Sequence, residues 1–448
     1  MNDRAPILLA KARATRSGTR GGKQAGFTLI EMIVSLFVLV LILVGVLYLF
    51  DLNSRLARVE TNVAEMQQSL RIGQYDLVRV ARMAGRGGLP VLSSPNATNG
   101  FAGRLLPTGV AVEVDNNVAA GTTIDGAGGP EVVAKTDILT LRGIFSGPVY
   151  SLNPINTVAF TPPNATGNGT LTIEDVSPTG VPQSFGQSTQ HDWLAGAIAD
   201  ANAGQQPAIL FVSPLGQYAV AAIQGGSAIN GHTAVINYKI GSTGGSSTAD
   251  SYLQLMAGAA YPAALKTVAF AGILQEYKYY IRSEPSVPGD PNSAKISALS
   301  RAELYPNTNT PVGGVAANLG EDIADNVLDL QVAFGIDVNN DGTIEDHTTD
   351  PTLTTATDEW LLNDSSDTSG SINWNPLPSA PPEPLLYLRI TTLAETAGAA
   401  PNYIAPAIQT IEDHAYNEPA TPSTYAERAS RAHRRRELTT VVDLRNLD

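Results

Sequence analysis

From Met32 to Phe50 the chain carries no charged side chain, and the apolar stretch containing this run opens at Phe27. At 1.5 Å per residue a helix over 27–50 is about 36 Å long, enough to cross about 30 Å of hydrocarbon. A run of this kind has few folding outcomes, and it predicts a membrane helix. Arg4, Lys11, Arg13, Arg16, Arg20 and Lys23 precede it against the single acid Asp3, while the whole chain carries a formal charge of -14. A basic flank before the span and an acidic chain after it predict a cytoplasmic N-terminus. A secretory signal peptide has a shorter apolar region closing on small residues. Here the run ends in Leu47, Tyr48, Leu49 and Phe50, which fits that reading poorly. A plain anchor is the simpler alternative, and Glu31 stands against it. A carboxylate inside an apolar helix is costly and calls for a partner or a task.

Gly26, Phe27, Thr28, Leu29, Ile30 and Glu31 follow the basic leader directly. This string closely resembles the prepilin motif of the type IV pilin and type II secretion pseudopilin superfamily. The resemblance implies cleavage between Gly26 and Phe27 by a prepilin peptidase at the inner membrane, followed by N-methylation of Phe27. It also implies that Glu31 sets subunit register in a filament by pairing with a neighbour's amino terminus. That pairing has a physical rationale, because a carboxylate and an ammonium are each costly in hydrocarbon and neutralise one another.

The helical pattern continues past the span. Leu56, Val59, Val63, Met66, Leu70, Gly73, Leu77, Val80 and Ala84 recur in alternating steps of three and four, with polar residues between them. This is an amphipathic helix, and Gly85, Gly87, Gly88 and Pro90 end it. The upper end, with Leu70, Leu77 and Val80, is assigned to the head.

Beyond Pro90 short apolar runs alternate with Gly, Pro, Asn, Ser and Thr. Strands are expected at 137–141, 170–175, 208–212, 218–223, 234–240, 267–281, 327–334, 385–393 and 438–444. Short helices are expected at 252–260 and 425–431, and loops at 91–130, 283–295 and 361–384. The fold class read from this is α+β, a long N-terminal pilin-type helix on a large antiparallel β-rich head. The organisation read is a leader at 1–26, the membrane half of the helix at 27–50 and its amphipathic half at 51–88. A β-rich head with insertions at 89–265 and a pilin-like head at 266–448 follow. Charged residues make up 16% of the chain, below the ~25% of ordinary soluble domains, which argues against coiled-coil rods and charged disorder.

Several downstream stretches resemble the large minor pilins of the PilW type. They are Arg71–Ile72 with 79–85, then 276–281 followed by 300–304, then 326–337, and finally 434–436 with 439–446. The resemblance implies a non-enzymatic structural subunit that initiates or assembles type IV pili. Its implied partners are other minor pilins, the major pilin and a tip adhesin. Its implied location is the bacterial inner membrane, single-pass with a periplasmic head, and then the filament at the cell surface. A minor pseudopilin of a type II secretion system, and an anchored adhesin binding through 91–265, remain open.

Asp337, Asn339, Asp341, Thr343 and Glu345 lie in a D-x-N-x-D-G stretch like the first half of an EF-hand calcium loop. The twelfth position is Thr348 in place of the bidentate Glu, so a metal-free Asn/Asp/Gly turn is the competing reading. There are no cysteines, so thiolate sites and disulfides are excluded and a metal clip gains interest. Arg428, Arg431, His433, Arg434, Arg435 and Arg436 form a basic cluster, for which solvation or pairing within the chain is favoured. A nucleic-acid partner would have to approach a strongly acidic chain. The five histidines are scattered, and no H-E-x-x-H or G-x-S-x-G occurs, so no enzyme is expected.

Overall fold

In the computed structural model the described residues are 27–87, 111–126, 128–147, 149–151, 160–161, 168–174, 193–212, 218–230, 233–239, 268–285, 290, 295–306, 308, 310–336, 343–346, 359–364, 385–400 and 402–444. The leader, the expected helix at 252–260 and the greater part of the expected loop at 361–384 lie outside them. Two units divide the chain, Met1–Arg58 and Val59–Asp448. Helix α1, Leu29–Ala81, runs unbroken through both. In the first unit its apolar side chains are all exposed.

In the second unit, the chain order is β1 (Val112–Asp115), β2 (Ile138–Gly143), β3 (Tyr150–Ser151), β4 (Phe160–Thr161), β5 (Asn168–Glu174) and helix α2 (Trp193–Asn202). Then come β6 (Ala208–Val212), β7 (Tyr218–Ile223), β8 (Ala228–Asn230), β9 (Thr233–Lys239), β10 (Phe270–Pro285), β11 (Lys295–Leu304) and β12 (Glu321–Asp325). The chain continues through β13 (Val327–Ile336), β14 (Trp360–Leu361), β15 (Leu385–Glu395), β16 (Thr410–Ile411), β17 (His414–Ala415), α3 (Tyr425–Ser430) and β18 (Arg435–Asp443). The expected strands all form, β6 and β7 with the expected ends and the others with ends shifted by a few residues. Strand β1 lies inside the expected loop 91–130, because its Val-Glu-Val-Asp run is too short to separate from a loop by period alone. Helix α2 went unread because its small residues, Ala195, Gly196, Ala197 and Ala199, give little periodic contrast.

Among the described residues a 12-stranded antiparallel sheet has the path β1-β2-β10-β6-β7-β9-β5-β4, and a four-stranded one has the order β14-β13-β15-β18. Strand β10 is the pivot of the larger sheet. Its first half pairs with β6 and its second half with β2 on one side and β11 on the other. Strands from both sides of residue 265 therefore share one sheet. Tyr277, Tyr279 and Tyr280 on this strand are all buried. Tyr277 and Tyr279 belong to the core that contains Leu77 and Val80, while Tyr280 packs with Val118, Ile124 and Leu319 on the other face.

After α1 the chain turns over residues 82–87, where Gly85 and Gly87 take positive φ, and Gly85 N–H donates to the Arg142 carbonyl at 3.0 Å. Its buried stripe, Met66, Leu70, Gly73, Leu77 and Val80, follows the three-and-four spacing read from the sequence. At Gly73 the helix approaches β11 and β12 so closely that a Cβ would stand 2.9 Å from Ala324 Cβ and 3.0 Å from Leu299 Cδ2. Gly73→Val is expected to lower stability by about 3 kcal/mol through overpacking, whereas Gly73→Ala recovers part of that through helix propensity. Urea unfolding of the detergent-solubilised chain measures both.

Candidate functional site

The N-terminal end of α1 is built by a capping box. Thr28 precedes the first helical turn, and its N–H and hydroxyl both donate to Glu31 Oε2 at 2.9 Å. The Glu31 N–H returns a 3.4 Å contact to Thr28 Oγ1. A Thr at the cap and a Glu three residues on satisfy helix-start donors that no intrahelical carbonyl can reach. The Glu31 carboxylate is thus held beside Phe27, the residue that carries the new amino terminus if the chain is cut before it. Phe27 itself is exposed, as are Leu29, Ile30, Ile33 and Val34 around Glu31. The helix is long and apolar enough to cross a membrane. A carboxylate on this largely apolar, exposed helix surface is costly to bury unless a counter-charge pairs with it.

The other end of α1 is tied to the head by polar contacts that the apolar periodicity does not announce. Asp76 Oδ2 accepts from the Tyr279 hydroxyl at 2.8 Å and from Arg301 Nη1 at 3.2 Å. Arg301 also pairs with Glu321 at 2.5 Å and lies 4.9 Å above the Tyr277 ring. Burial, and then the Asp76 carboxylate, hold the Tyr279 hydroxyl well above its ordinary pKa, so it stays a neutral donor. Gln74 is buried; its amide donates to the Leu438 carbonyl at 2.7 Å and its oxygen accepts from Thr440 Oγ1. Strands β10 and β11 of the larger sheet and β18 of the smaller one are therefore bonded to the same helical turn. The sequence signal for this is weak, because Asp76 and Gln74 are polar residues beside the apolar stripe and nothing in their spacing names a partner.

Residues 21–47 match the family profile described as the prokaryotic N-terminal methylation motif. The chain carries a type IV pilin-like prepilin segment. Together with the apolar helix, that segment fits a membrane-anchored pilin-like precursor, and the motif implies processing by prepilin peptidase and assembly with other pilins. No curated protein and no solved structure matches the chain.

Of the residues singled out in the sequence, Phe27 and Glu31 come together at the capped helix start, while Gly26 lies outside the described residues. Asp337, Asn339 and Asp341 of the candidate calcium loop also lie outside them. Thr343 is exposed and Glu345 half-buried. The Glu345 N–H donates to a Glu359 carboxylate oxygen at 3.0 Å, and the Glu359 N–H returns to the Glu345 carbonyl at 3.2 Å. The basic cluster is largely absorbed within the chain. Arg431 is buried and donates to the carbonyls of Ala405 and Pro419. Arg435 bonds Glu418 at 2.6 Å, and Arg434 lies 4.6 Å above the Tyr403 ring. Solvation or pairing within the chain is the expectation from the sequence, and these three residues show the pairing.

Proposed function

We propose that this chain is a minor pilin of the PilW type, a non-enzymatic subunit that helps initiate and assemble type IV pili. The observation that carries the reading is the capped Phe27–Glu31 start of an uncovered apolar helix whose far end is bolted to a large β head. In this reading prepilin peptidase cuts between Gly26 and Phe27 on the cytoplasmic face of the inner membrane. The head lies in the periplasm. Extraction into the filament then pairs Glu31 with the amino terminus of an adjacent pilin, and the exposed apolar helix surface is covered by its neighbours. Other minor pilins, the major pilin and a tip adhesin are the partners. The proposal also gives the 337–345 loop a calcium ion held by Asp337, Asn339, Asp341, Thr343 and Glu345, supported by the D-x-N-x-D-G order of oxygen donors.

Processing is tested directly by Gly26→Ala. Expected is a chain that stays at precursor length when expressed with its peptidase, read by intact-mass spectrometry of the membrane fraction. Wild-type chain should lose residues 1–26 and gain one methyl group. A shortened, methylated Gly26→Ala product refutes the processing assignment. Deleting the gene should reduce surface pili; pili at normal numbers with a loss of protein secretion would move the chain to a secretion system.

A further inference from the structure

Strand β10 changes partner at Gln275. Leu274 stands opposite Ala208 on β6, and Glu276 stands opposite Leu304 on β11. Helix α2 packs beside this change of pairing, and a cavity of about 240 Å³ opens there. From α2 the cavity takes two small residues, Gly196 and Ala197, and then Asp200 one turn on from Gly196. A Cβ at Gly196 would meet no atom within 4 Å, so the helix leaves space that a larger side chain would take up. The walls are apolar where Ala197, Ile273, Leu274, Leu304 and Val312 meet it, and the first four of these are buried.

Polar groups reach the same space from two elements. Asp200 comes from α2, Glu303 lies near the end of β11, and Tyr305 follows just after that strand. Tyr305 is buried, and its hydroxyl accepts from Gly313 N–H at 2.7 Å. Burial raises the pKa of this phenol; the Gly313 N–H opposes the rise, while the carboxylates of Asp200 and Glu303 both add to it. Both carboxylates therefore act on one phenol oxygen in the cavity wall. Glu303 is half-buried, and burial raises its own pKa against the side-chain amide of Gln275 and the charge of Arg301, with Glu321 adding to the rise. Arg301 is already bonded to Asp76 and Glu321. Gln275 is fixed as well, since its side-chain oxygen accepts from Phe145 N–H at 3.0 Å and Ser146 N–H at 2.8 Å. Among the described residues that line the cavity there is no Lys, Arg or His.

We propose that this cavity binds a small alkylammonium ion, with Glu303 and Asp200 facing the ammonium and Ile273, Leu274 and Leu304 packing on the alkyl chain. The walls select that chemistry. An anion would meet two carboxylates and no basic side chain. A wholly apolar molecule would strip water from both carboxylates and supply no counter-charge, which is costly. An alkylammonium answers the acids and the apolar walls together, in the usual manner of a small-molecule site, where a few convergent polar groups orient a ligand held mainly by apolar contact. The volume is below the ~300 Å³ at which drug-sized sites begin, so the ion is a short one.

Isothermal titration of the full-length chain in detergent with n-pentylamine, against a blank of empty micelles, tests the site. At neutral pH the amine is fully charged, as a lysine is. Expected is saturable binding of one amine per chain with a Kd of about 1 mM or tighter, within what so small a ligand can reach. The uncharged analogue n-pentanol should bind at least about tenfold more weakly, the loss of one charge pair. Glu303→Gln and Asp200→Asn keep side-chain size, and circular dichroism first establishes that both are folded. Each should weaken the amine about tenfold and leave the alcohol unchanged. No binding of n-pentylamine by the wild-type chain overturns the proposal without reference to the variants. So does n-pentanol binding as tightly as the amine, or unchanged amine binding in both folded variants. None of these outcomes bears on the minor-pilin reading, which rests on the other end of the molecule.

Discussion

Glu31→Ala chains are expected to reach the membrane in normal amount and yet to be depleted from filaments by on the order of a hundredfold. The substitution acts on two things at once. It removes the oxygen that accepts from Thr28 N–H and hydroxyl, a capping loss of roughly 1 kcal/mol, and it removes the charge. Under the minor-pilin proposal the charge matters more. A neighbour's ammonium left without its carboxylate in hydrocarbon costs about 2.5 kcal/mol or more, which is where the hundredfold arises. Glu31→Gln separates the two effects, since the amide oxygen still accepts from Thr28 but carries no charge. It should be excluded from filaments nearly as strongly as Glu31→Ala. The comparison is the ratio of subunit in sheared filaments to subunit in membranes. Normal incorporation of Glu31→Gln would remove the electrostatic register role and leave the cap alone.

A comparable loss, in stability and not in assembly, is expected at Arg142. Its guanidinium bonds Glu113 at 2.8 Å and Glu276 at 2.5 Å, with all three side chains at most 5% exposed. Strand register explains the meeting: Glu276 stands directly across from Arg142 on β10, and Glu113 lies diagonally from it on β1. Arg142→Met removes the guanidinium that both buried carboxylates bond and should cost about 3–5 kcal/mol. The triple variant Arg142→Met, Glu113→Leu, Glu276→Met removes the stranded charges and should regain most of that loss, because apolar side chains of similar volume often replace a buried ion group without penalty. Urea titrations of the three proteins settle the point. A single variant as stable as wild type would mean the triad is solvated in solution.

These predictions rest on features of very different legibility. The stripe from Met66 to Val80 could be read because a helix repeats every few residues and one buried face imposes that period on the chain itself. Strands β6 and β7 were read with their observed ends for a similar reason, as short runs bounded by Gly, Pro and Ser. Arg142, Glu113 and Glu276 could not be read as core. Each is polar, and what makes its burial tolerable is a partner more than twenty residues away, supplied only once the sheets have formed.

By itself the sequence determined the N-terminal half of this story: the prepilin segment, the apolar helix, its amphipathic continuation and the β character of the head. Those properties depend on composition, spacing and short motifs, and they survive without knowledge of what packs where. Only the tertiary structure decided that β10 joins strands from both parts of the head, that Asp76 and Gln74 lock the helix onto two sheets, and that Asp200 and Glu303 line one cavity. Pairing between distant segments leaves no periodic mark on the chain, because its energy appears only after loop closure has brought the partners together.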